Sequence, residues 1–113
     1  MTIFDSPIRP RRLRHTPTLR RMVRETELTS ADFIYLLFTV HGEGERNLIV
    51  SMPGISQLSV DEAVIEVKKA WGLGVAYLKL FSTPAEKDPI CEENYAADGI
   101  FQQATRAIKA ALP

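Results

Sequence analysis

Two stretches of the chain carry apolar residues without alternation. Phe33 to Val40, FIYLLFTV, is eight residues with no charge. A strand that half-faces water alternates apolar and polar positions, so this run predicts a strand covered on both faces, as in a mostly parallel sheet. Val75 to Phe81, VAYLKLF, predicts a second such strand, interrupted only by Lys79. Between them Val60, Ala63, Val64, Val67, Ala70 and Trp71 fall on one helical stripe. Ser59-Val60-Asp61-Glu62 fits a capping box at its start, with Ser59 as cap and Glu62 reaching back, and Gly72 or Gly74 ends the helix.

The flanking segments follow the same logic. Residues 1–15 read as extended, since Pro7 and Pro10 oppose helix. Thr16-Pro17 predicts a cap and first helical position, and a short helix from Pro17 to about Glu25 places Leu19, Met22 and Val23 on one face. LTSAD then turns the chain into the first strand. HGEGERNLIVSMPGISQ reads as a long connection, with Pro53-Gly54 as a type II turn. STPAEKDPICEENYAAD reads as a second. Asp98 is the expected cap of a last helix whose apolar face is Phe101, Ala104, Ile108, Ala111 and Leu112.

The resulting order is helix, β, α, β, α: an α/β chain with a parallel sheet. Two strands are too few for such a sheet. Both outer edges stay unpaired, and the strands are too apolar to face water. The expected division is an arm with a short helix over 1–27 and two βα units over 28–113.

Charge changes the picture at one end. Residues 1–24 hold seven arginines against Asp5, a balance of +6, while 25–113 hold seven bases against thirteen acids, a balance of −6. A basic arm on an acidic body suits phosphate or an acidic protein surface. Ile8, Leu13, Leu19, Met22 and Val23 within the arm favour protein. With one cysteine, Cys91, no internal disulfide framework is available, which fits a reducing compartment. No apolar run approaches the roughly 20 residues of a membrane span, and MTIFDSPIRPRR lacks the order of a secretory signal. A cytoplasmic location is expected.

Candidate chemistry is sparse. His15, His41 and Cys91 lie apart in sequence, whereas a metal centre needs three or four ligands, so no metal site is assigned. Gly42 and Gly44 in HGEGE lack the rest of a phosphate loop and are flanked by acids. No serine sits in a nucleophile-elbow motif. Lys79, inside YLKLF, has the placement in which desolvation could yield a Schiff-base lysine. No second group marks it, so an outward, snorkelling or acid-paired lysine is the preferred reading. Asp61/Glu62 and Glu92/Glu93 read as solvated helix-start and loop carboxylates.

From RPRRLRHTPTLRRMVRET (residues 9–26) through LTSADFIYLLFTVHGEGERNLIVSMPGISQLSVDE to LGVAYLKLF, KDP and AADGIFQQATRAIKAALP, the string resembles the N-terminal third of the porphobilinogen synthase (5-aminolevulinate dehydratase) family. Leu36 stands where that family usually has proline, Lys79 where it usually has an apolar residue, and the loop after Phe81 is shorter by about two residues. The resemblance implies a (β/α)₈ TIM barrel of which this chain forms the first quarter, its two strands and two helices being the first βα units. It implies a lyase that condenses two 5-aminolevulinate molecules through lysines on later strands. It also places the Zn or Mg ligands beyond position 113. No catalytic, cofactor or metal residue is therefore carried over, and this chain is expected to be inactive alone.

What the resemblance does carry over is an arm, Arg9, Pro10, Arg11, Arg12, Leu13 and Arg14, that docks on neighbouring subunits of a homo-oligomer. The competing expectation is a non-catalytic subunit binding a full-length relative through the arm or the open sheet edge. A nucleic-acid partner is disfavoured by the acidic body and the lack of a binding motif.

Overall fold

The structure is a computed structural model and describes residues 11–113. Three helices and four strands follow in the order α1 (Pro17–Met22), β1 (Ile34–Thr39), β2 (Arg46–Leu48), β3 (Ser56–Leu58), α2 (Val60–Gly72), β4 (Tyr77–Ser82) and α3 (Ile100–Ala111). The sheet order is β2-β3-β1-β4. β1 and β4 run parallel over their whole length, from Ile34 beside Tyr77 to Thr39 beside Ser82. The connection between them passes through α2, so they form the βα unit that the apolar runs imply.

The long connection after β1 is not structureless, which corrects the two-strand reading. Its residues form an antiparallel hairpin, Arg46 beside Leu58 and Leu48 beside Ser56. β3 then adds to β1 in parallel at Phe38 and Thr39 only. The turn is the one that Pro53-Gly54 encodes: Ile55 N–H donates to the Met52 carbonyl at 3.0 Å, and Gly54 sits at φ +85°. Strands of three residues carry too little pattern to announce themselves.

The helix ends separate what the local sequence dictates from what tertiary contacts override. Thr16 caps α1 as its type suggests, with Leu19 N–H donating to Oγ1 at 3.1 Å, but the helix stops at Met22 rather than near Glu25. The capping box at Ser59 does not form. Ser59 is fully buried, accepts from Glu45 N–H at 3.0 Å and donates to Asp61, while Glu62 turns away to Arg46. α2 ends in a Schellman motif: Val75 N–H donates to Ala70 O, Gly74 N–H donates to Trp71 O, and Gly74 has φ +87°. Gly99, not Asp98, is the N-cap of α3.

The core lies between the sheet and the two long helices. Leu37, Leu58, Ala63 and Val67 are buried together, with Tyr35, Leu78, Leu80, Ile108 and Leu112 packed around them. Burying each large apolar side chain contributes roughly 1.5–3 kcal/mol. Every second residue of β1 and β4 points into this layer. The alternate set, Ile34, Leu36, Phe38, Tyr77, Lys79 and Phe81, points to the other side, where Ile34, Tyr77 and Phe81 are exposed. No described strand pairs with the outer edge of β4.

Candidate functional site

The carboxyl ends of β1, β3 and β4 lie at one end of the sheet, because the three strands are mutually parallel. Chemistry in barrel folds sits at this end, built from the loops that leave the strands. Three features meet there. Thr39 and Ser82, side by side in register, share a hydroxyl hydrogen bond of 2.7 Å and close the covered layer. His41, two residues past β1, places Nε2 at 2.5 Å from Glu93 Oε1. Glu93, in a short 3₁₀ turn over Glu92–Asn94, also accepts from Ile100 N–H and Ala85 N–H, each at 3.2 Å. The His41 hydrogen bond, aided by those two amides, holds the Glu93 carboxyl below its ordinary range.

Just below this rim, on the face turned away from α2 and α3, Phe38 and Phe81 stack with centroids 5.5 Å apart. Lys79 Nζ lies 5.3 Å from the Phe81 centroid, so the ammonium leans toward the carboxyl end of the strand. No ion pair to Lys79 is present among the described residues, and nothing places a nucleophile's base beside it.

A second polar cluster braces the opposite, helix-covered side. Arg46 donates to Glu62 at 2.9 Å and to Glu66 at 3.3 Å, and Tyr35 donates to Glu66 at 3.2 Å. Burial and the Glu66 charge push the Tyr35 phenol up. Burial alone would push the Glu66 carboxyl up too, but Arg46, Tyr35 and Lys69 outweigh it and lower it. The cluster ties β2 to α2 and is structural.

The arm residues fall partly within view. Arg11, Arg12, Leu13 and Arg14 are exposed; Arg9 and Pro10 lie outside the described residues. Arg14, Arg20, Arg21 and Arg24 line one groove on α1, a concentrated cationic surface. Among the described residues no group of three or more His, Cys, Asp or Glu is placed to hold a metal ion. None of their helices is long and apolar enough to cross a membrane.

A family model described as delta-aminolevulinic acid dehydratase matches residues 7–113. The chain belongs to the delta-aminolevulinic acid dehydratase family. Dehydratases of that name from Synechococcus elongatus and Synechocystis sp. are 52% identical over 105 residues and 50% identical over 106. The matches cover 93% and 94% of this chain but 32% of each relative, so the chain spans about a third of the length of the curated dehydratases it matches. The solved dehydratase (porphobilinogen synthase) of Toxoplasma gondii, in complex with the reaction product porphobilinogen, superposes with a TM-score of 0.84 at 34% identity. That superposition covers 96% of this chain and 31% of the other. The four-stranded open sheet and its helices thus correspond to the N-terminal part of the dehydratase TIM barrel.

Sequence reading missed both side-chain contacts of the rim, Thr39–Ser82 and His41–Glu93; the second is the longer in sequence. His41 and Glu93 are 52 positions apart and neither belongs to a motif. The preceding Cys91 carried a signal of another kind: it is the single non-glycine residue with positive φ, +54°, among those described. Sequence alone does not reveal that.

Proposed function

We propose that this chain provides the first two βα units of a porphobilinogen synthase barrel, which condenses two 5-aminolevulinate molecules to porphobilinogen. The observation that carries this reading is the sheet itself. The face turned away from the helices is apolar but for Lys79, its β4 edge has no described partner, and the chain aligns along nearly its whole length with a third of a dehydratase. An apolar face with an open edge is a surface made to be completed by further strands. The units supply rim loops and one wall, while the Schiff-base lysines and the metal ligands belong to the remaining strands. No residue described here takes a catalytic role, and the chain alone is inactive.

Residues 1–27 act as an arm. The cationic groove of Arg14, Arg20, Arg21 and Arg24 suits docking on the acidic body of a neighbouring subunit in a homo-oligomer. The same docking role is assigned to Arg9, Pro10, Arg11, Arg12, Leu13 and Arg14, of which Arg9 and Pro10 lie outside the described residues.

The test is fragment complementation. The chain is mixed with a polypeptide carrying the remaining two thirds of the Synechococcus elongatus relative, and porphobilinogen formation is followed. Turnover by the mixture and none by either part is the expected result. Turnover by this chain alone, or none by a mixture that co-elutes, overturns the reading. A non-catalytic interaction subunit would bind a full-length dehydratase stoichiometrically through the same edge, and the same β4 edge favours it as the second reading.

A further inference from the structure

Glu93 is a point of convergence. Its two carboxylate oxygens meet three groups that are distant in sequence: the His41 imidazole at the end of β1, the Ala85 amide at the start of the loop after β4, and the Ile100 amide at the start of α3. The loop over 83–99 is otherwise stitched to itself and to α3. Asp88 accepts from the Ile90 and Glu92 amides, and Gln102 and Arg106 of α3 donate to the carbonyls of Asn94 and Ala97. Thr83 N–H to Thr39 O anchors its beginning. Beyond that point, His41–Glu93 is the one hydrogen bond described between this loop and β1 or its extension.

We propose that Glu93 is a positioning residue that clasps the loop over 83–99 onto the carboxyl end of β1 through His41. One carboxylate then sets three things together: where β1 ends, where the loop leaves β4, and the direction of α3. The surroundings leave Glu93 as the acceptor. Of the other acids near His41, Asp61 already accepts from Ser59 and the Gly44 amide, and Glu43 lines the same groove without a hydrogen bond to the ring. On the loop side Glu86, Lys87, Asp88 and Cys91 share a cavity with Glu93, and the Asp88 carboxylate is occupied by its own turn. Backbone constraint adds to this, since Cys91 holds a left-handed conformation that a non-glycine residue adopts only when its neighbours fix it. The functional consequence rests on the synthase reading above: the clasp fixes one rim loop beside the site at which the completed barrel would work. The clasp itself does not depend on that reading.

Amide hydrogen exchange on the full chain tests it, with Ala85 and Ile100 as reporters and Leu37 and Val67 as controls in the core. In His41→Ala, protection at Ala85 and Ile100 should fall about threefold, the scale of one exposed charged contact, while the controls hold. His41→Gln retains a side-chain N–H donor and should restore protection. Glu93→Gln, with one acceptor oxygen in place of two, should lose it at one or both reporters. Unchanged protection in His41→Ala, or an equal fall at reporters and controls, overturns the proposal. The functional arm uses the complemented barrel, where Glu93→Gln should lower kcat/KM several-fold at unchanged assembly. If wild-type complementation yields no turnover, the synthase reading fails while the exchange result still decides the clasp.

Discussion

β1 and β4 present two faces of nearly equal apolar character that meet different fates. On one face Tyr35, Leu37, Leu78 and Leu80 pack against α2 and α3, with Thr39 and Ser82 closing the layer by a hydroxyl pair. On the other, Leu36 and Phe38 stand beside Lys79 and Phe81 with no helix or sheet over them among the described residues. The first face is stabilised by contacts within this chain. The second carries the same kind of side chain at the cost of exposure, so its composition answers to a surface outside the described residues. An apolar sequence thus records where a strand is buried in its assembled form, and the folded chain records how much of that burial it achieves unaided.

That contrast can be broken most strongly from the covered side. Leu37→Ala removes a side chain that is 2% exposed and should cost roughly 2–5 kcal/mol. Phe38→Ala, its neighbour on the open face, should cost less than half as much, because a part-exposed ring leaves no sealed cavity. Urea unfolding of both variants measures the difference, and equal losses would mean that the open face is covered in solution. A smaller effect comes from Gly74→Ala. The residue sits at φ +87°, and a Cβ there would lie 2.5 Å from Ser30 Oγ, so about 1–2 kcal/mol should be lost by the same measurement. Tyr35→Phe deletes the half-buried hydrogen bond to Glu66 and should cost about 1 kcal/mol.

The smallest expected effect is a pH dependence. The carboxyl of Glu93 lies below its ordinary value of 4.5 in the fold, so its contribution is fully present above that value. It is lost as pH falls through the lowered value. Thermal unfolding from pH 6 down to 3 should therefore slope less in Glu93→Gln than in the parent chain, and an identical slope would remove Glu93 from the account of the rim.

Much of this was legible in the sequence because it depends on local rules. The two apolar runs gave the parallel pair, the Thr16 cap gave the start of α1, and Pro53-Gly54 gave its turn. Ser59 and Glu62 satisfied a local rule as well, yet Glu45 and Arg46, 14 and 16 positions away, claimed the two side chains, with Asp61 accepting from the Ser59 hydroxyl two positions away. β2 and β3 escaped notice because three residues each carry no period, and their pairing is decided by the turn between them. The rim fared likewise. Lys79 was visible as the odd residue in its strand, whereas His41 and Glu93 acquire meaning only when the parallel register brings the end of β1 beside the loop after β4. The likeness to the dehydratases was legible along nearly the whole chain, since residue-by-residue similarity does not require the fold to be worked out first.

The short pairing of β3 with β1 has one more effect. It occupies β1's outer side at the carboxyl end, Phe38 and Thr39, while among the described residues nothing pairs with Ile34 to Leu37 on that side or with the outer edge of the six-residue β4. The sheet therefore has two unlike ends. A strand joining at β4 can align along its full length, whereas one arriving at β1 is stopped halfway by the hairpin. Flat, uniform edges let identical sheets continue one another, and these two edges are not alike. On that side of β1 the hairpin works as an end stop.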